Sequence, residues 1–159
     1  MPLSLITDRT QANVDQLKAI KAKLNAGTAL TTAEQAAWAA GKGGNNIADL
    51  NRVGAAVAAL AATLGGYGYS VTVNPRTDWS AAENPQQATE MAAYLADVQA
   101  LKDGFYGATP LPADMAGVTV GELNNIEKLL LEIERNITWM VAGFRKCGTF
   151  KSGQGVILP

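Results

Sequence analysis

Residues 123–147 read LNNIEKLLLEIERNITWMVAGFRKC. Apolar residues recur there at Leu123, Ile126, Leu130, Ile133, Ile137, Met140, Phe144 and Cys147, in steps of three and four. That is the seam spacing of helices that pack nearly parallel. Leu129 and Val141 widen the stripe to the breadth a buried bundle helix needs. Glu122, Glu127, Lys128, Glu132, Glu134 and Arg135 are expected on the opposite, solvated face. The stretch predicts one long amphipathic helix with its core seam at Leu123, Ile126, Leu130, Ile133, Ile137, Met140 and Phe144. The rest of the chain is expected to pack onto it.

Two further long helices carry compatible stripes upstream. From about Ile47 to Leu64 the repeat is Leu50, Val53, Val57, Leu60 and Leu64, with alanine at most other positions. Small residues let neighbouring elements approach closely. Asn45 or Asn46 is placed to cap this helix, and Gly65-Gly66 to end it. The next helix is expected from Gln86 to Phe105, with Pro85 near its start and a stripe of Met91, Leu95, Val98, Leu101 or Lys102, and Phe105. An earlier stripe of Val14, Leu17, Ile20 and Leu24 follows a cap at Asp8 or Thr10, and Asn25-Ala26-Gly27 closes it. Thr31-Thr32-Ala33-Glu34 is a capping box before a short helix, Ala33 to Ala40, anchored by Trp38.

The connections have their own character. Residues 1–7, MPLSLIT, read as an extended lead-in. Tyr69-Ser70-Val71-Thr72-Val73 alternates apolar and polar and predicts a short strand. The turn-rich crossing at 74–79 ends in Trp79, expected to tuck under the bundle. Residues 106–119 carry Pro110 and Pro112 and form a surface loop. The fold class is therefore mainly α: a bundle of three to four long helices plus one short helix, with a short extended or β C-terminal tail. The domains are a helical bundle over 1–147 and the tail over 148–159.

That tail, GTFKSGQGVILP, cannot continue a helix. Phe150, Val156, Ile157 and Leu158 are its candidate interaction residues. An apolar extended segment is a docking edge. It either folds back on its own bundle or docks on a neighbouring subunit.

Composition narrows the chemistry. The 159 residues are 48% hydrophobic, enough for a real core. Thirteen basic against fourteen acidic residues give a net charge of −1, which argues against a dedicated nucleic-acid binder. With no histidine, the commonest general base and transition-metal ligand are missing. The lone Cys147 has no partner for a disulfide, a cysteine zinc site or a nucleophile–base pair. The start shows no basic-then-apolar leader, and no run of about 18 apolar residues predicts a membrane span. The glycine-rich GKGGNN lacks the spacing and the preceding strand of a phosphate loop. Glu127 with Glu134, and Glu132 with Glu134, are the available carboxylate pairs, expected on the wet face rather than in a cleft. Asn136-Ile137-Thr138 matches a glycosylation pattern but lies mid-helix. No enzyme, cofactor or metal is expected. One weak internal echo relates Asp49-Leu50-Asn51-Arg52-Val53 to Asn125-Ile126-Glu127-Lys128-Leu129.

Several stretches, taken in order, carry a resemblance. Ile6-Thr7-Asp8-Arg9-Thr10, Asp49-Leu50-Asn51-Arg52-Val53, Thr77-Asp78-Trp79, Met91 through Leu101, and Asn125-Ile126-Glu127-Lys128-Leu129-Leu130 together resemble small proteins and N-terminal modules of phage and prophage tail and baseplate regions of Gram-positive hosts. That family more often has Asn-Asp-Ile-Glu-Lys where this chain has Asn124-Asn125-Ile126-Glu127-Lys128. The resemblance implies a virion structural protein of the tail tip, baseplate or fibre attachment, made in the bacterial host cytoplasm. Its partners would be other tail or baseplate proteins and further copies of itself, without nucleic acid or membrane. It implies no catalytic residues. A cytoplasmic helical adaptor or regulatory module is the alternative reading.

Overall fold

The computed structural model describes residues 2–80 and 88–146. Among them the helices are α1 (Gln11–Asn25), α2 (Thr32–Ala40), α3 (Ile47–Gly66), α4 (Ala88–Gly104) and α5 (Val120–Lys146). The fold is mainly α, a helical bundle with one short helix, as the apolar spacings predict. Residues 86 and 87, the expected start of α4, and the tail over 148–159 lie outside the described residues, as does Cys147.

Helix starts follow side-chain chemistry. Thr10, Thr31 and Asn46 each accept from the N–H three residues on, and Asn13, Glu34 and Asp49 reach back to the cap N–H. Each box satisfies two otherwise orphan donors. Thr119 and Glu122 repeat the exchange ahead of α5. Asp8, the other candidate cap of α1, instead pairs with Lys42 at 2.7 Å.

The three long helices run parallel. Arg52, in the second turn of α3, meets Glu127 in the second turn of α5. Past the other ends, Tyr67 and Phe144 have ring centroids 6.5 Å apart. Antiparallel extended segments make the returns. From Tyr69, whose N–H donates to Leu64, the chain descends α3 until Trp79 meets Asn51. The same segment matches α4 in reverse: Tyr69 packs on Phe105, the Asn74 N–H donates to Asp97, and Arg76 pairs with Glu90. Parallel neighbours need such long crossovers, whereas a short loop makes antiparallel ones. No strand forms among the described residues. The expected strand at Tyr69–Val73 pairs with no second strand: the Tyr69 N–H donates to the end of α3 at Leu64, and just beyond the segment the Asn74 N–H donates to Asp97 of α4.

Close approach is built into α3. At Gly54 a Cβ would collide with the main-chain carbonyl of Arg76. The tight packing predicted from the small residues of α3 is therefore partly against an extended segment, not only against helices.

The core joins Leu50, Val53, Val57, Leu60 and Leu64 of α3, Tyr94, Val98 and Leu101 of α4, and Ile126, Leu129, Leu130, Ile133 and Ile137 of α5, with Trp79 tucked beneath as expected. Leu123 is half-buried, and Met140 packs partly buried against the core. Phe144 departs from the predicted seam: it is 57% exposed. It lies beyond the last turn of α3, so the spacing continues where α3 no longer covers it. Trp38 was expected to anchor α2, yet it is 43% exposed. The α1–α2 pair packs mainly on itself, with Ile20 buried and Lys23 bridging to Glu34.

α3 is long and apolar enough to cross a membrane by length and composition, although Asp49, Asn51 and Arg52 keep it from being an unbroken apolar run. Its central place explains the apolarity, because its stripe is buried against α4 and α5 and its start is tied into charges.

Candidate functional site

Three of the five resembling stretches meet in one buried cluster at the N-terminal end of α3 and α5. Arg9, Asp49 and Glu127 are each no more than 5% exposed. The Arg9 Nη2 lies 2.5 Å from Glu127 Oε1 and 3.3 Å from Asp49 Oδ1. Arg52 closes the set, with Nη2 2.5 Å from Asp49 and 2.8 Å from Glu127. Two cations face two anions, so the group is neutral as a whole. Glu127 is thus misplaced by its heptad position: it does not face solvent. The lead-in covers it, and the Ile6 N–H donates to its Oε2 at 2.6 Å.

The lead-in is threaded along α5. The N–H groups of Leu3, Ile6 and Arg9 donate to Glu134, Glu127 and Asn124. Three extended residues span about 10 Å, and seven helical residues about the same. Glu134 and Glu127 are therefore spaced to hold Leu3 and Ile6. On the other flank, Glu132 accepts from the N–H groups of Ala108 and Thr109 and from the Thr109 hydroxyl, while Asn136 Nδ2 donates to the Tyr106 carbonyl. Those carboxylates, expected on a wet face, are clamps for the two segments beside α5. Asn136 of the glycosylation-like triplet is one of the clamps too.

Electrostatics follow the geometry. Burial works against the Arg52 charge, but hydrogen bonds to Glu127 and Asp49 outweigh it and raise its pKa. Burial, then the Glu127 and Asp49 charges, push the Tyr94 hydroxyl far above its ordinary value. Burial opposes ionisation of Glu132, yet the bonds from Ala108 and Thr109 win and hold its pKa low. The cluster's carboxylates are committed to ion pairs, which makes it a clasp between lead-in, α3 and α5.

A second feature is a cavity of about 200 Å³ between α3, α4 and the return segment, lined by Val53, Val57, Asn74, Arg76, Trp79 and Tyr94 among others. The Arg76 guanidinium sits 4.5 Å over the Trp79 ring, and among the described residues the buried Trp79 Nε1 has no hydrogen-bond partner. The space is below the roughly 300 Å³ at which small-molecule sites begin. Among the described residues no group of three or more His, Cys, Asp or Glu could hold a metal ion.

The third feature is the opposite end of the bundle. Tyr67, Tyr106, Trp139 and Phe144 are exposed there, and Arg135 stacks 4.9 Å over Trp139. The expected interaction residues Phe150, Val156, Ile157 and Leu158 lie outside the described residues.

The sequence held a signal for the clasp that the weak echo missed. Thr7-Asp8-Arg9 and Thr77-Asp78-Trp79 are the same kind of extended tripeptide. In each, the last residue's main chain pairs with one helix asparagine, Asn124 and Asn51 respectively. The structural equivalence is Asn51 with Asn124, three residues out of step with the pairing of Asn51 and Glu127.

Compared with known proteins, the chain matches no family model, no curated protein and no solved structure.

Proposed function

We propose that the protein is a structural component of a phage or phage-like tail, at the tail tip, baseplate or fibre attachment, and that it joins the assembly through residues 148–159. The observation that carries this reading is the convergence of the resembling stretches. Arg9 of the first, Asp49 and Arg52 of the second and Glu127 of the last meet in one clasp, and Asn51 secures the third by pairing with the main chain of Trp79. The stretches that carry the resemblance thus form one structural unit rather than scattered matches. A clasp of this kind suits a rigid part that presents surfaces to neighbours.

The test replaces the Gly148 codon with a stop in the producing strain. Wild-type protein should be found by mass spectrometry in purified particles, and the truncated protein should fold but be missing from them. A wild-type protein confined to the cytoplasm would overturn the reading in favour of an adaptor. A truncation that still assembles would remove the role of the tail.

A further inference from the structure

Helices and extended segments alternate around the bundle. α3, α4 and α5 each touch the other two. Residues 69–79 lie between α3 and α4. Tyr69 and Trp79 are bonded to α3, while Asn74 and Arg76 are held by Asp97 and Glu90 of α4. Residues 105–118 lie between α4 and α5. Asn136 and Glu132 of α5 hold Tyr106 and Thr109, Lys102 of α4 donates to the Thr109 carbonyl, and Leu111 and Met115 share a groove with Met91 and Leu95. Residues 2–9 lie between α5 and α3, held by Glu134, Glu127 and Asn124 on one side and by Asp49 on the other.

All three segments run antiparallel to the helices. The second and third each lie between the helix they leave and the helix they lead to. The first leads to α3 by way of the α1–α2 pair, yet lies against α5, the helix it does not follow in the chain. It obeys the same rule only when the order is read as a circle. We infer that the bundle is a closed ring of three strap-and-helix units, and that the seam between α5 and residues 2–9 is a built-in opening point locked by the clasp.

Two equivalent residues show what the lock adds. Arg9 and Trp79 each pair their main chain with an asparagine at the fifth residue of a helix, Asn124 of α5 and Asn51 of α3. The backbone junctions are therefore alike, but the side chains are not. Trp79 belongs to a strap that the chain ties to α3 and to α4. Such a tether keeps a released strap at high effective concentration beside its groove. The strap of Arg9 has no such tie to α5. There the ion pairs of Arg9 with Glu127 and Asp49 supply the hold. Release of residues 2–9 leaves Asp49 and Glu127 with Arg52 alone, and leaves the mutual contacts of α3, α4 and α5 in place. The seam therefore opens before the rest of the ring.

The test is native-state hydrogen exchange, with the Arg9 and Trp79 amides as a matched pair. In the full chain, Leu3, Ile6 and Arg9 should exchange together, and Arg9 should be at least about tenfold less protected than Trp79. A circular permutant then moves the seam. It joins Pro159 to Met1 and opens the chain between Gly68 and Tyr69, both exposed. The thirteen residues 147–159 reach up to about 45 Å, against roughly 18 Å of helix from Glu134 to Lys146, so they suffice as the link. The permutant should keep the helical content, and the order should reverse: Trp79 exchanges first and Arg9 becomes protected. A second permutant, opened between Gly104 and Phe105, should instead make Ala108 and Thr109 the fast amides. It guards against one break that harms folding for its own reasons. Equal protection of Arg9 and Trp79 in the full chain would overturn the inference. So would failure of both permutants to fold, or a folded permutant in which Arg9 still exchanges first, because the first strap would then be an ordinary frayed end.

Discussion

Asn124 on α5 pairs with the main chain of Arg9 through both ends of its amide: Oδ1 accepts from the Arg9 N–H at 3.0 Å, and Nδ2 donates to the Arg9 carbonyl at 2.9 Å. Asn51 on α3 does the same with Trp79, at 2.8 and 3.0 Å. A side-chain amide has the donor and acceptor of a peptide unit, so it can stand in for a neighbouring strand. The extended segments thus lie beside helices with the main-chain N–H and carbonyl of Arg9 and Trp79 paired.

Replacing Asn124 by Ala removes both partners of the buried Arg9 peptide groups. Each unmade bond costs about 1–3 kcal/mol, so a loss of roughly 2–6 kcal/mol is expected by urea unfolding. A loss under about 0.5 kcal/mol would show that water replaces the amide at no cost.

Glu127→Gln keeps the shape of the clasp and removes one of its two negative charges. Arg9 and Arg52 then face Asp49 alone, and an uncompensated buried charge costs roughly 3–5 kcal/mol. The Ile6 amide should also exchange faster with solvent, since its acceptor is the Glu127 carboxylate. Glu134→Gln, which retains an oxygen for Leu3 at a partly buried site, should change stability far less. Equal effects from the two substitutions would contradict the central place given to Glu127.

Gly54→Ala tests the packing of the return segment. In a free helix interior the change gains about 1 kcal/mol. Here the added methyl meets the Arg76 carbonyl, which is main chain and cannot swing away. The expected outcome is net destabilisation with the Trp79 fluorescence shifted toward solvent. A stabilised protein would place the segment farther from α3.

Glu34 is the pH-sensitive joint of the α1–α2 pair. Its hydrogen bond with Lys23, then those with Thr31, bring its pKa from 4.5 down to about 2. A depressed carboxylate contributes stability that is fully present above 4.5 and is lost as pH falls toward 2. The α2 amides should therefore gain exchange between those limits, and Glu34→Gln should abolish that pH dependence. Glu34 is partly exposed to solvent, so salt should weaken the effect. A Glu34 carboxyl that titrates near 4.5 by NMR would contradict the bridge.

Much of the fold is legible in the sequence because it rests on local rules. The three-four spacing of Leu50 to Leu64 and of Ile126 to Ile137 marks the core helices, and Thr10, Thr31 and Asn46 mark helix starts. Phe144 and Trp38 fail because a periodic stripe says which face is apolar, not whether a neighbour is present to cover it. Glu127 fails for the reverse reason. Its partners Arg9 and Arg52 are 118 and 75 positions away, and only the parallel arrangement of α3 and α5 brings Arg52 to it. The repeated Thr-Asp-X tripeptides were readable, but their meaning depends on the asparagines across the groove.

The most direct test of the structural role is the copy number of this chain in purified particles, measured by quantitative mass spectrometry against a major tail protein. The account predicts a ratio that stays constant through successive density-gradient fractions and that drops to zero with a stop at Gly148. A ratio that falls with each purification step would mark the chain as a contaminant from the host cytoplasm and contradict the account.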